Sequence, residues 1–174
     1  MKIHILTMED PIYTNDFITD IIEGRHEDIS GLSIAKGGRM KIGKKRSKIR
    51  YLLSLLLIMG PVFFTQNVFR IISFKFRKKL SSLVCSFNDS GLKSVADMYD
   101  IPVDYTTNPN AQNYLDKLRE IDPDIIINQS QFIIKKELLE IPRIGVLNRH
   151  NALLPKNRGR LTPFWVLYKK EEAT

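Results

Sequence analysis

With 174 residues, 43% of them hydrophobic and 26% charged, the chain can bury one substantial core, so it holds one domain or one domain with part of a second. Its single cysteine, Cys85, excludes an internal disulfide and a cysteine-rich metal site, and no metal ligand set is expected. The formal net charge of +8 conceals an asymmetry: Ile29 to Asn88 contains 13 Lys or Arg and no Asp or Glu, leaving 14 basic against 19 acidic residues elsewhere.

Lys2 to Thr7 reads as a short buried strand, not as the core of a leader peptide. With one thiol buried in the apolar run Leu83-Val84-Cys85, a reducing, cytoplasmic setting is the expectation. Met8-Glu9-Asp10-Pro11 stands where a dinucleotide-binding chain would carry its glycines, so that class of site is not expected. Pro11 opens a helix to about Glu23, ended near Gly24, and Ile29 to Ala35 suits a second strand stopped by Gly37-Gly38.

The residues from 39 to 80 form a basic-apolar helical insertion. Tyr51 to Phe64 is interrupted only by Ser54, Gly60 and Pro61, with Lys41, Lys44, Lys45, Arg46, Lys48 and Arg50 before it and Arg70, Lys75, Arg77, Lys78 and Lys79 after it. A spanning helix needs ~20 apolar residues, reached here only by admitting Thr65, Gln66, Asn67 and Arg70. A helix pair packed on the sheet, with cationic stems lying over apolar surface, is one reading. A helix pair resting on an anionic membrane surface through residues 41–79 is another, which would make the protein membrane-peripheral. Nucleic acid is a third, although no aromatic residues interleave the first basic cluster.

Leu83 to Phe87 is a third strand candidate, Ser90 to Tyr99 a helix and Val103 to Tyr105 a short strand. Asn108-Pro109 predicts a helix start, with Leu115, Leu118 and Ile121 on its apolar face. Asp124 to Asn128 is a continuous apolar strand, and Lys136 to Glu140 a short helix leading through Pro142 to a strand ending at Asn148. Strands that alternate with helices imply an α/β fold with parallel strands and right-handed crossovers. Continuous apolar strands imply a sheet covered on both faces.

Asn148-Arg149-His150 closes the apolar run Ile144 to Leu147, where residues two apart share a direction along a strand. An amide and an imidazole side by side can polarise a carbonyl and move a proton near neutral pH. They could equally end a strand and cap the next turn. Leu153-Leu154-Pro155 and Arg158-Gly159 follow at once. From Pro123 to about Leu167 the chain resembles the 10-formyltetrahydrofolate-dependent formyltransferase family, whose signature is N-x-H-x-S-L-L-P-x-x-x-G. That family includes methionyl-tRNA, glycinamide-ribonucleotide and sugar-nucleotide formyltransferases and a related hydrolase.

The resemblance implies a Rossmann-like N-terminal catalytic domain that binds 10-formyltetrahydrofolate and passes its formyl group to a primary amine. Asn148 would donate to the developing oxyanion, a contribution of ~3–4 kcal/mol in such sites. His150 would assist it and carry protons. Phe132, Ile133 and Ile134 would form the apolar loop over the pterin, Leu153 and Pro155 would hold the turn after the strand, and Arg158 and Gly159 would continue that loop. Arg149 and Asn151-Ala152 depart from the family pattern without removing a catalytic group. No residue matches the family's later catalytic Asp, so the expectation is a C-terminally incomplete domain over residues 1–174, inactive or very weak by itself. The acceptor expected is an amino sugar on a nucleotide or lipid carrier, with methionyl-tRNA as the alternative. Formyltetrahydrofolate hydrolysis and a non-catalytic folate-binding or membrane-peripheral module also remain open.

Overall fold

A computed structural model describes residues 1–10, 15–37, 48–81, 91–150, 154, 166 and 168–170. Strands β1 (Ile3–Thr7), β2 (Ile29–Ala35), β3 (Val103–Thr106), β4 (Ile125–Gln129) and β5 (Gly145–Asn148) form one five-stranded parallel sheet in the order β3-β2-β1-β4-β5. The order reverses between β1 and β4, so the carboxyl ends of those strands and of β5 border the crevice where open α/β sheets bind ligands.

Both faces are covered, which is why the strands are apolar at successive positions. On one face Ile5, Leu32 and Ile34 pack against Ile18 and Ile22 of α1 (Asn15–Arg25) and Leu92 and Ala96 of α3 (Leu92–Met98), while α2 is Lys48–Ser81. On the other, Leu6, Ala35 and Ile126 pack against Tyr114, Leu115 and Leu118 of α4 (Gln112–Ile121) and Leu138 of α5 (Lys136–Leu139). The expected α/β architecture is what the chain adopts.

Helix α1 ends near Gly24 as expected: it runs to Arg25 and passes into a single 3-10 turn, His26–Asp28, while its expected start at Pro11 lies outside the described residues. Arg25 clamps Asp28 from Nε and Nη2, at 2.8 and 2.6 Å, and this ion pair closes the corner. Two expectations are corrected. Asn108-Pro109 does not start α4. Asn108 Oδ1 accepts from the Asn110 amide at 3.1 Å and its carbonyl accepts from Ala111 at 3.1 Å, a local turn that competes with the helix until Gln112. The basic-apolar segment is not packed on the sheet: Gly60, at φ +73°, breaks α2 into two arms, and none of its described side chains is buried. Leu83 to Phe87, with Cys85, lies outside the described residues.

Candidate functional site

Two strands of the same pattern, an apolar run closed by asparagine, end side by side. Asn128 of β4 and Asn148 of β5 are register partners, and their side chains meet with Asn128 Nδ2 donating to Asn148 Oδ1 at 3.3 Å. Asn128 is only 5% exposed, and its Oδ1 accepts from the Ser130 amide at 3.1 Å and from Ser130 Oγ at 2.7 Å. A backbone N–H can only donate, so the oxygen of Asn128 must face Ser130 and its NH2 must face Asn148. That in turn turns the oxygen of Asn148 inward and leaves its NH2 as the outward-facing end. Asn148 is itself exposed, so a donor is presented to whatever occupies the rim of the sheet.

His150 lies two residues beyond the end of β5 and is half-buried. Arg149, between them, sets its guanidinium 4.3 Å from the centre of the Phe17 ring on α1, a cation–π contact that ties the chain after β5 to the first turn of that helix. The two ends of the loop following β1 are joined reciprocally: the Asn15 amide donates to the Asp10 carbonyl at 3.1 Å, and the Asp10 amide donates to Asn15 Oδ1 at 3.0 Å.

Phe132, Ile133 and Ile134 follow β4. Phe132 and Ile134 pack against the core beneath α4 and α5, while Ile133 projects outward. Asn110 pins this segment from both sides, its Nδ2 donating to the Ile133 carbonyl at 2.9 Å and its Oδ1 accepting from the Lys135 amide at 2.8 Å. Leu153, Pro155, Arg158 and Gly159 lie outside the described residues. Among the described residues no group of three His, Cys, Asp or Glu is placed to hold a metal ion.

Asn128 and Asn110 were not singled out by the motif. The signal for Asn128 was the repeated pattern of an aliphatic run ending in asparagine, Ile125-Ile126-Ile127-Asn128 and Gly145-Val146-Leu147-Asn148. Nothing in the sequence marks Asn110, whose partners lie 23 and 25 residues away.

The described residues define an α/β protein with an open parallel sheet and an exposed amide, Asn148, at the carboxyl rim where such sheets commonly bind ligands. No family model matches the chain. It is 37% identical over 86 residues to the methionyl-tRNA formyltransferase of Clostridioides difficile (strain 630), covering 49% of this chain and 28% of that protein. It is 41% identical over 87 residues to the methionyl-tRNA formyltransferase of Clostridium botulinum (strain Alaska E43 / Type E3), covering 49% and 28%. It is 37% identical over 86 residues to the bifunctional polymyxin resistance protein ArnA of Wigglesworthia glossinidia brevipalpis, covering 49% and 13%. The matched half of the chain therefore resembles the N-terminal region of the formyltransferase family, and it spans little more than a quarter of the methionyl-tRNA formyltransferases it matches.

Proposed function

We propose that this chain provides the formyl-transfer site of a protein that moves a formyl group from 10-formyltetrahydrofolate to a primary amine. The observation that carries the proposal is the Asn148 amide, held by Asn128 with its NH2 outward at the sheet rim. In formyl transfer the bond from the formyl carbon to the folate nitrogen breaks, a bond to the amine forms, and negative charge collects on the formyl oxygen in between. Asn148 Nδ2 donates to that oxygen, a contact that strengthens as the charge grows. His150 moves the proton that the amine releases towards the departing folate nitrogen. The loop Phe132 to Ile134 bears on the pterin, with the core holding two of its side chains and Asn110 its backbone. Loss of both Asn110 bonds in Asn110→Ala is expected to raise KM for 10-formyltetrahydrofolate about tenfold with a smaller change in kcat, read from steady-state kinetics.

The proposed acceptor is an amino sugar on a nucleotide or lipid carrier, supported by the basic-apolar segment, which would suit an anionic carrier or a surface. The same positive charge, with the similarity to the methionyl-tRNA formyltransferases of Clostridioides difficile and Clostridium botulinum, supports charged initiator tRNA equally. Product mass after incubation with 10-formyltetrahydrofolate and either UDP- or dTDP-linked amino sugars or methionyl-tRNA separates the two. Formate release without acceptor would make the activity a hydrolysis. Absence of any formyl transfer or release by a longer protein that contains this chain would sink the proposal.

A further inference from the structure

We propose that α2 is a lipid-facing helix which lies in the interface of an anionic bilayer and does not cross it. Leu55–Phe76, 22 residues, is long and apolar enough to span a membrane, and none of it is buried against the rest of the protein. Val62, Phe69, Ile72 and Phe76 recur at helical spacing on one side of the second arm and are 65, 73, 59 and 65% exposed. Phe64, Val68, Ile71 and Phe74 line the opposite side and are only half-buried. A helix with large apolar residues on both sides belongs in a core or in lipid, and none of this one's described side chains is buried in a core.

Charge selects the occupant. From Ile29 to Asn88 the chain has 13 Lys or Arg and no carboxylate. Lys75 and Lys79 are placed on the second arm beside the apolar stripe. A second copy of this segment would bring cations against cations, whereas a leaflet of anionic headgroups over acyl chains satisfies both the charge and the apolar surface.

Two features keep the helix in the plane of the interface. Gly60 breaks it, and although the second arm runs on to Ser81, its apolar part, Pro61 to Phe76, is about 24 Å long at 1.5 Å per residue, short of a hydrocarbon core of ~30 Å. Midway along that arm Arg70 Nη2 is bonded to Asp16 Oδ2 of α1 at 2.9 Å, which holds the arm alongside the folded domain. Phe17, next to Asp16, carries Arg149, so the first turn of α1 links the lipid-facing helix to the chain after β5.

The test is co-sedimentation of the whole protein with vesicles of phosphatidylcholine mixed with phosphatidylglycerol, against pure phosphatidylcholine. Binding is expected to the anionic vesicles, to weaken with added salt, and to be released by alkaline carbonate. Lys75→Glu with Lys79→Glu is expected to weaken binding about 30-fold. Phe69→Ser with Ile72→Ser is expected to abolish it while leaving the circular dichroism melting curve in place, because both side chains are exposed. No binding to anionic vesicles, equal binding to neutral ones, or resistance to carbonate would overturn the proposal. So would a dimer in analytical ultracentrifugation that Phe69→Ser with Ile72→Ser dissolves.

Discussion

Asn148→Ala is expected to lower kcat for formyl transfer about 10²–10³-fold while leaving KM for 10-formyltetrahydrofolate near its original value. The lost contact is one that matters as negative charge develops, not one that holds the ground state. The geometry allows a sharper test one strand away. Asn128→Asp keeps an oxygen for the Ser130 amide but replaces the donor to Asn148 with a second oxygen. Two oxygens facing each other repel, so the Asn148 amide turns over, gives its NH2 to the new carboxylate and shows its carbonyl to the formyl oxygen. The fall in kcat should approach that of Asn148→Ala, and the double variant should be little worse than either single one. Steady-state kinetics on the four proteins, with melting curves to establish folding, read the outcome. Additive losses would mean that Asn128 does not act through Asn148.

The second large effect is on stability at mildly acidic pH. His4 of β1 is 2% exposed, its Nε2 lies 2.9 Å from Ser33 Oγ, and its Nδ1 has no hydrogen-bond partner among the described residues. Burial pushes its pKa from 6.5 down to about 4, with Asp104 pulling weakly the other way. The unfolded chain takes up a proton there as pH falls through 6.5, and the folded chain does not until about 4. Neutral His4 therefore contributes full stability above pH 6.5, and that stability drains away between 6.5 and 4, by about 3 kcal/mol in all. The Asp28 and Asp124 carboxyls act in a lower window. The hydrogen bond from the N-terminal ammonium, then Arg25, holds Asp28 down, and Arg143, then the Lys2 amide, holds Asp124 down, so their contributions fail only below 3.8. Urea midpoints at pH 7.5 and pH 4.5 should separate strongly in the native protein and much less in His4→Gln. Equal separation in both would place the acid sensitivity elsewhere. Gly31 belongs to the same arrangement, since a Cβ there would sit 3.1 Å from His4 Nδ1.

The central strands β1 and β2 were legible because they are buried on both faces and so are apolar at nearly every position, whereas the edge strand β5 is half-buried to exposed and was marked by its apolar run. Ile29–Ala35 and Gly145–Asn148 end where the pattern ends. Helix starts were less legible. Asn108 carries the chemistry of a cap, yet its side chain serves a turn closed by Asn110, and nothing within a few residues distinguishes the two uses. The motif pointed to Asn148, the last residue of β5, and to His150, two residues beyond that strand, but could not say how the amide was turned.

What the sequence alone determined here is everything decided by neighbours along the chain: the alternation of strands and helices, the charge asymmetry, and the pattern that resembles the formyltransferase family. Tertiary structure decided what depends on residues brought together from afar. The order β3-β2-β1-β4-β5 sets Asn128 against Asn148, 20 residues apart, and so orients the amide. The same assembly fills both faces of the sheet with α1, α3, α4 and α5 and leaves α2 unburied. An apolar pattern requires a helix to find a non-aqueous surface, but only the packing of the other elements shows that the protein does not supply one.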